Sequence, residues 1–166
     1  MVADKPTFYL QSEHKLEISE DGQTWMRLAG GISELEPDGN EEVSQDAYLD
    51  GSESDVTGGQ LVLALTGHRL VGDKAQDWLY ARQFQYGGKR RGFTRWTLPG
   101  GKTQFTFAST FANIKGPSGA ANGKGEIEFE IHSNEELVPN KVVAEVTKTN
   151  KELASEALGV ERQVQE

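Results

Sequence analysis

The sequence predicts a mainly β protein, an antiparallel β-sandwich or barrel with one α-helix packed on its outside. Three observations carry this. Two segments, His14 to Ser19 and Lys124 to His132, alternate apolar and polar side chains with a period of two, which marks strands with one wet face and favours antiparallel pairing. A pair of apolar runs, 91–99 and 103–114, is joined by Gly100-Gly101-Lys102, a hairpin signal. Only one internal stretch has helical spacing, and a lone amphipathic helix packs most simply on a sheet.

The elements follow in chain order. The opening MVADKPTFYLQSEHK meets a polar or charged side chain every few positions, so no signal peptide is expected. No apolar run approaches the ~18 residues of a membrane helix, so a soluble chain without membrane contact is expected. The first strand places Leu16 and Ile18 on one face.

Residues 33–55 contain nine carboxylates and no Lys or Arg. The chain has 26 acids and 17 bases, so this stretch alone carries the net charge of −9. With its Gly and Ser residues, 33–58 reads as a long polar loop, interrupted by Ile32, Leu35, Val43, Tyr48 and Leu49. GGQLVLALTGHRLV (58–71) follows as a strand with Leu61, Leu63 and Leu65 on one parity and Val62 and Ala64 on the other.

The helix is expected over about 72–87. Asp73 is its N-cap, Gln76 stands where a capping box needs it, and Ala75, Trp78, Leu79, Arg82 and Tyr86 share a stripe that Gly87-Gly88 ends. In the hairpin that follows, Phe93, Arg95 and Thr97 face one side, Thr94, Trp96 and Leu98 the other. Phe105, Phe107 and Phe111 share a face across a run long enough to contain a bulge. On the last strand Ile127, Phe129 and Ile131 alternate with Glu126, Glu128 and Glu130. From Thr149 the chain has helical spacing but is too short to be stable alone, so 149–166 reads as an arm that docks or frays. The whole, 1–166, is expected to be one domain, long enough to bury a core without cross-links.

Catalytic chemistry does not assemble. There are no cysteines, which excludes disulfides, thiolate nucleophiles and sulfur-ligated metals and suits a reducing compartment. His14, His68 and His132 fall on separate strands, and no serine stands in a nucleophile elbow. Gly101-Lys102-Thr103 resembles the end of a phosphate loop, but Trp96 occupies the place of its first Gly and a strand follows. As a calcium loop, Asp38, Asn40 and Glu42 alternate correctly with Val43 where Gly is needed. Asp50, Ser52 and Ser54 alternate likewise, with Asp55 in that place. Paired-carboxylate glycoside chemistry needs two acids held on rigid elements, which a loop does not supply. No enzyme activity and no cofactor are expected. An acidic chain also gives no basic footprint for nucleic acid.

Three stretches together resemble the major tail (tube) proteins of long, non-contractile-tailed bacteriophages: WMRLAGGISELEPDGNEEVSQDAYLDG, VTGGQLVLALTGHRLVGDKAQDWLYARQ and GEIEFEIHSNEELVPNK. The most specific piece is Thr66-Gly67-His68-Arg69 followed by Gly72-Asp73 and Ala75-Gln76-Asp77, and the likeness spans about residues 15–146. The resemblance implies a tail-tube fold, six copies closing into a ring, and rings stacking into a tube through which DNA passes without specific binding. It implies tape measure, terminator and tip proteins as partners, residence in the virion tail, and assembly in the host cytoplasm. The 33–58 loop would reach a neighbouring subunit and the C-terminal arm would bridge rings.

On that reading, Leu35, Val43, Tyr48, Leu49 and Asp50 meet the basic cluster Lys89, Arg90, Arg91 and Arg95 of another copy. Glu126, Glu128 and Glu130 face the lumen, where like charge keeps DNA from adhering. The alternative is a monomeric carbohydrate- or cation-binding β-sandwich module using Trp25, Trp78 or Trp96 as a sugar platform.

Overall fold

In the computed structural model, residues 6–140 are described. They form a mainly β structure, a curled antiparallel half-barrel sheet with a single α-helix, as the patterning predicts. The strands are β1 (Lys15–Ser19), β2 (Met26–Arg27), β3 (Ile32–Asp38), β4 (Glu42–Tyr48), β5 (Gly51–Gly58), β6 (Val62–His68), β7 (Arg91–Thr97), β8 (Gln104–Ser118) and β9 (Glu126–Ser133). Seven of them make one sheet in the order β2-β1-β7-β8-β9-β6-β3, while β4 and β5 pair only with each other. The C-terminal stretch 149–166, read as an arm, lies outside the described residues.

Period-two alternation sorts the main sheet into two faces. Leu16, Ile18, Leu63, Leu65, Trp96, Phe107, Phe111, Ile127, Phe129 and Ile131 form one buried cluster. Each fully buried large side chain contributes about 1.5–3 kcal/mol relative to exposure. The helix α1 (Lys74–Tyr80) covers this face with Ala75 and Leu79, both wholly buried, and Trp78 meets Phe111 edge-on at 5.1 Å. Opposite the core, β9 presents Glu126, Glu128 and Glu130.

Local chemistry explains the joins. Gly101 N donates to Leu98 O across a turn with Pro99 second and Gly100 third at φ +88°, so the third position needs the glycine. Register shifts between β8 and β9 at Ala112/Lys115 and Lys115/Ser118 supply the bulges that the long apolar run suggested, with Asn113 at φ +50° inside them.

Two expectations are corrected. The helix is shorter than 72–87: after Tyr80 the chain tightens into i to i−3 bonds, Arg82 N to Leu79 O and Gln83 N to Tyr80 O, then a 3₁₀ turn at Gly87–Arg90. Asp73 caps it by accepting from Gln76 N at 3.0 Å, but the Gln76 side chain turns to Gly30 and Leu70 instead of back to Asp73. Residues 33–58 are not a loop but the edge strand β3 and the β4–β5 hairpin. Paired strands satisfy the backbone without burying side chains, so a polar sequence hides them.

Candidate subunit interface

The β4–β5 hairpin is the most exposed built element among the described residues. Its seven paired positions run from Glu42↔Gly58 to Tyr48↔Gly51, and a two-residue turn, Leu49-Asp50, closes it. The root is fixed: Asp38 Oδ1 accepts from Asn40 N at 2.8 Å, Gln60 N donates to Gly39 O at 2.9 Å, and Gln60 Nε2 donates to Ser133 O at 2.8 Å. Beyond the root, Val43, Tyr48, Leu49 and Val56 stand exposed, and only Ser44 among the β4 side chains is half-buried. An isolated two-stranded hairpin is marginal in water.

Next to it, β3 pairs with β6 alone and ends the main sheet. Its free edge is guarded by Glu34, Glu36 and Pro37, residues that discourage indiscriminate strand pairing. Leu35, expected at an interface, sits opposite Leu65 and packs against the core.

The basic cluster separates into two kinds of residue. Arg90 is engaged inside the subunit: its guanidinium donates to the carbonyls of Gln85 (2.7 Å), Phe111 (3.1 Å) and Gln83. Arg95 pairs with Glu17 at 2.7 Å and lies 4.3 Å over the Trp25 ring. Both are structural here, so the four-base patch read from sequence reduces to Lys89 and Arg91, which are exposed and meet no carboxylate among the described residues. Shortly before them in the chain come Phe84 and Tyr86, about 81% and 82% exposed, of which Tyr86 lines a cavity with Arg91. The sequence reading missed both as surface residues, placing Tyr86 on the helix stripe. Their exposure follows from the helix ending early.

The three acids of β9 are not equivalent. Glu128 pairs with Lys115 at 3.1 Å, Glu130 accepts from His132 at 2.8 Å and Asn113 at 2.7 Å, and Glu126 is exposed. The His132 hydrogen bond, then Asn113, holds the Glu130 carboxyl below its ordinary range. His14 stacks on Trp96 at 5.8 Å and accepts from its indole Nε1–H at 3.1 Å; burial lowers its pKa.

All three tryptophans are engaged within the subunit. Trp96 is buried, Trp25 lies under Arg95, and Trp78 donates to Glu20 at 3.1 Å with Arg82 4.0 Å over its ring. That hydrogen bond and Arg82 draw the Glu20 carboxyl down in pKa. Among the described residues no group of three or more His, Asp or Glu side chains is arranged to hold a metal ion, and no helix is long and apolar enough to cross a membrane. A broad cleft of about 1620 Å³ opens between the hairpin root and the end of the main sheet, lined in part by Val56, Leu61, Arg91, Phe93 and Leu137.

No protein-family model and no curated protein matches the chain. Solved structures do. The tail of an empty gene transfer agent particle, refined helically with C6 symmetry, superposes with a TM-score of 0.65 at 17% identity, covering 81% of this chain and 100% of that one. A chain of the native gene transfer agent virion gives 0.62 at 16% identity, over 81% and 100% of the two chains. The sheath/tube terminator of an extracellular contractile injection system gives 0.53 at 9%, over 82% and 99%. The fold therefore occurs in both a gene transfer agent tail and a contractile system, and does not single out the long non-contractile class. At these identities the likeness concerns architecture: the described residues have a fold shared with chains of a gene transfer agent tail and virion and of the sheath/tube terminator of a contractile injection system.

Proposed function

We propose that this protein is a structural, non-enzymatic subunit of a phage-like tail tube, which assembles with copies of itself into stacked six-membered rings around a channel for DNA. The observation that carries the reading is the incomplete surface of the subunit: a fully paired but uncovered hairpin, and a sheet ending in a one-sided strand, in a fold shared with a C6-symmetric tail. Such surfaces are stabilised when a neighbour removes them from water, and a contact between unlike patches repeats into rings or filaments.

In this reading the face bearing Glu126, Glu128 and Glu130 lines the channel, where like charge limits adhesion of the DNA backbone. The long non-contractile type of tail, tape measure and terminator proteins as partners, residence in the virion and assembly in the host cytoplasm belong to the same proposal. Electron microscopy of the full chain at rising concentration tests it. Rings or tubes with a central channel are expected; a monomer at every concentration, with no ring in the presence of a tail terminator, overturns the reading.

A further inference from the structure

The register of the β4–β5 hairpin divides its side chains into two unlike faces. Val43, Gln45 and Ala47 stand opposite Val56, Ser54 and Ser52, so one face carries no charge. The other carries Ser44, Asp46 and Tyr48 opposite Asp55, Glu53 and Gly51. Here Asp46 lies directly across from Glu53, and like charges at opposed positions of a two-stranded ladder destabilise it. No cation among the described residues pairs with either acid. The hairpin thus carries an electrostatic penalty that its own subunit does not relieve.

The matching surface is the segment from Phe84 to Arg91. Its two exposed cations, Lys89 and Arg91, stand close together in sequence and lack carboxylate partners among the described residues. Arg69, Arg82, Arg95 and Lys115 are each paired with an acid, and Arg90 is tied to three carbonyls; Lys15, Arg27, Lys74 and Lys124 are exposed, but each stands apart from any second exposed cation in sequence. Exposed Phe84 and Tyr86 precede the two cations in the chain, and Tyr86 lines a cavity with Arg91, as Tyr48 and Leu49 follow Asp46 in the hairpin. Each surface therefore offers two aromatic or aliphatic side chains beside two charges, of opposite sign.

We propose that the acidic face of the hairpin docks on the Phe84–Arg91 shelf of a second copy of this chain, with Asp46 and Glu53 opposite Lys89 and Arg91. The inference rests on the self-assembly proposed above and names its contact. Arg91 lines the cleft at the hairpin root together with Val56 and Thr57, whereas Glu53 and Asp46 lie three residues beyond the Val43↔Val56 pair, about 10 Å farther along the strands. Neither acid pairs with Lys89 or Arg91 within the chain, which leaves both charged surfaces available to a second copy. Because donor and acceptor patches differ, the contact is heterologous, leaving one unused hairpin and one unused shelf at the ends of any open series of copies.

A charge exchange tests the pairing, read by sedimentation velocity and electron microscopy of the full chain. The doubly substituted Asp46→Lys/Glu53→Lys and Lys89→Glu/Arg91→Glu proteins are each expected to raise the concentration at which assemblies first appear by at least about tenfold, given the cost of opposed like charges. The quadruple protein combining all four is expected to recover assembly. Asp46→Asn/Glu53→Asn, which removes the internal repulsion without adding like charge, serves as a second variant and is expected to weaken assembly less and to lose its salt dependence. Unchanged far-ultraviolet circular dichroism and a cooperative melt establish that each variant folds. If the exchanged protein stays monomeric while wild type assembles, or if either double variant assembles like wild type, the pairing is overturned but self-assembly stands. A wild-type chain that never assembles overturns self-assembly itself.

Discussion

The buried Gln76 side chain donates from Nε2 to the Gly30 carbonyl at 2.5 Å, tying the first turn of the helix to the entrance of the edge strand 46 residues earlier. The same amide reaches His68 O at 3.2 Å, and its Oε1 accepts from Leu70 N at 2.8 Å. One side chain thus satisfies backbone groups from the chain before β3 and from the exit of β6. Gln76→Ala removes these three part-buried hydrogen bonds together and is expected to cost about 2–4 kcal/mol, at roughly 0.5–1.5 for each. Urea unfolding followed by tryptophan fluorescence measures it.

Gly67 determines how closely β3 approaches β6. A Cβ there would stand 2.1 Å from Gly31 O and 2.8 Å from Ile32 Cα, both backbone atoms that cannot rotate aside. Gly67→Ala is expected to push the start of β3 off the sheet at a cost of about 1–3 kcal/mol, the range for forced overpacking. Amide exchange should show lost protection at Ile32–Asp38 while β7 and β8 stay protected.

Asp21 organises the turn between β1 and β2. Its Oδ1 accepts from Thr24 N at 2.8 Å, Gln23 N at 2.9 Å and Ser19 Oγ at 3.0 Å, and these bonds, Thr24 first, bring its pKa from 3.8 down to about 2. A carboxyl depressed in the folded state stabilises it above its unfolded pKa, and that stability is lost as pH falls from 3.8 through about 2. Carbon-detected titration should place the Asp21 midpoint near 2, and Asp21→Asn should abolish this part of the acid dependence. An Asp21 midpoint at the ordinary value contradicts the turn geometry.

The strands with one dry face were legible because burial imposes a period of two on their sequence. Leu16 and Ile18, Ile127, Phe129 and Ile131, and the β7–β8 turn at Gly100 all appear where the alternation placed them. β3, β4 and β5 were not legible for the same reason. Both faces of the hairpin meet solvent, so Ser44-Gln45-Asp46 and Ser52-Glu53-Ser54 carry no apolar alternation that would mark a buried side. The helix was read too long because Arg82 and Tyr86 continue its spacing, although Tyr86 is exposed and the chain has already tightened. Charge was legible but its use was not. Arg90 and Arg91 are adjacent and alike in sequence, yet one clasps three carbonyls and the other faces solvent.

The central claim is that the β4–β5 hairpin completes its structure against another copy. Amide hydrogen exchange of Glu42–Gly58, compared between the dilute full chain and the same chain concentrated into assemblies, tests it most directly. The account predicts rapid exchange across the hairpin when dilute, and protection by at least about a hundredfold on assembly, the change expected when a marginal hairpin gains roughly 3 kcal/mol of cover. Strong protection already present at dilution and unchanged by concentration would contradict it.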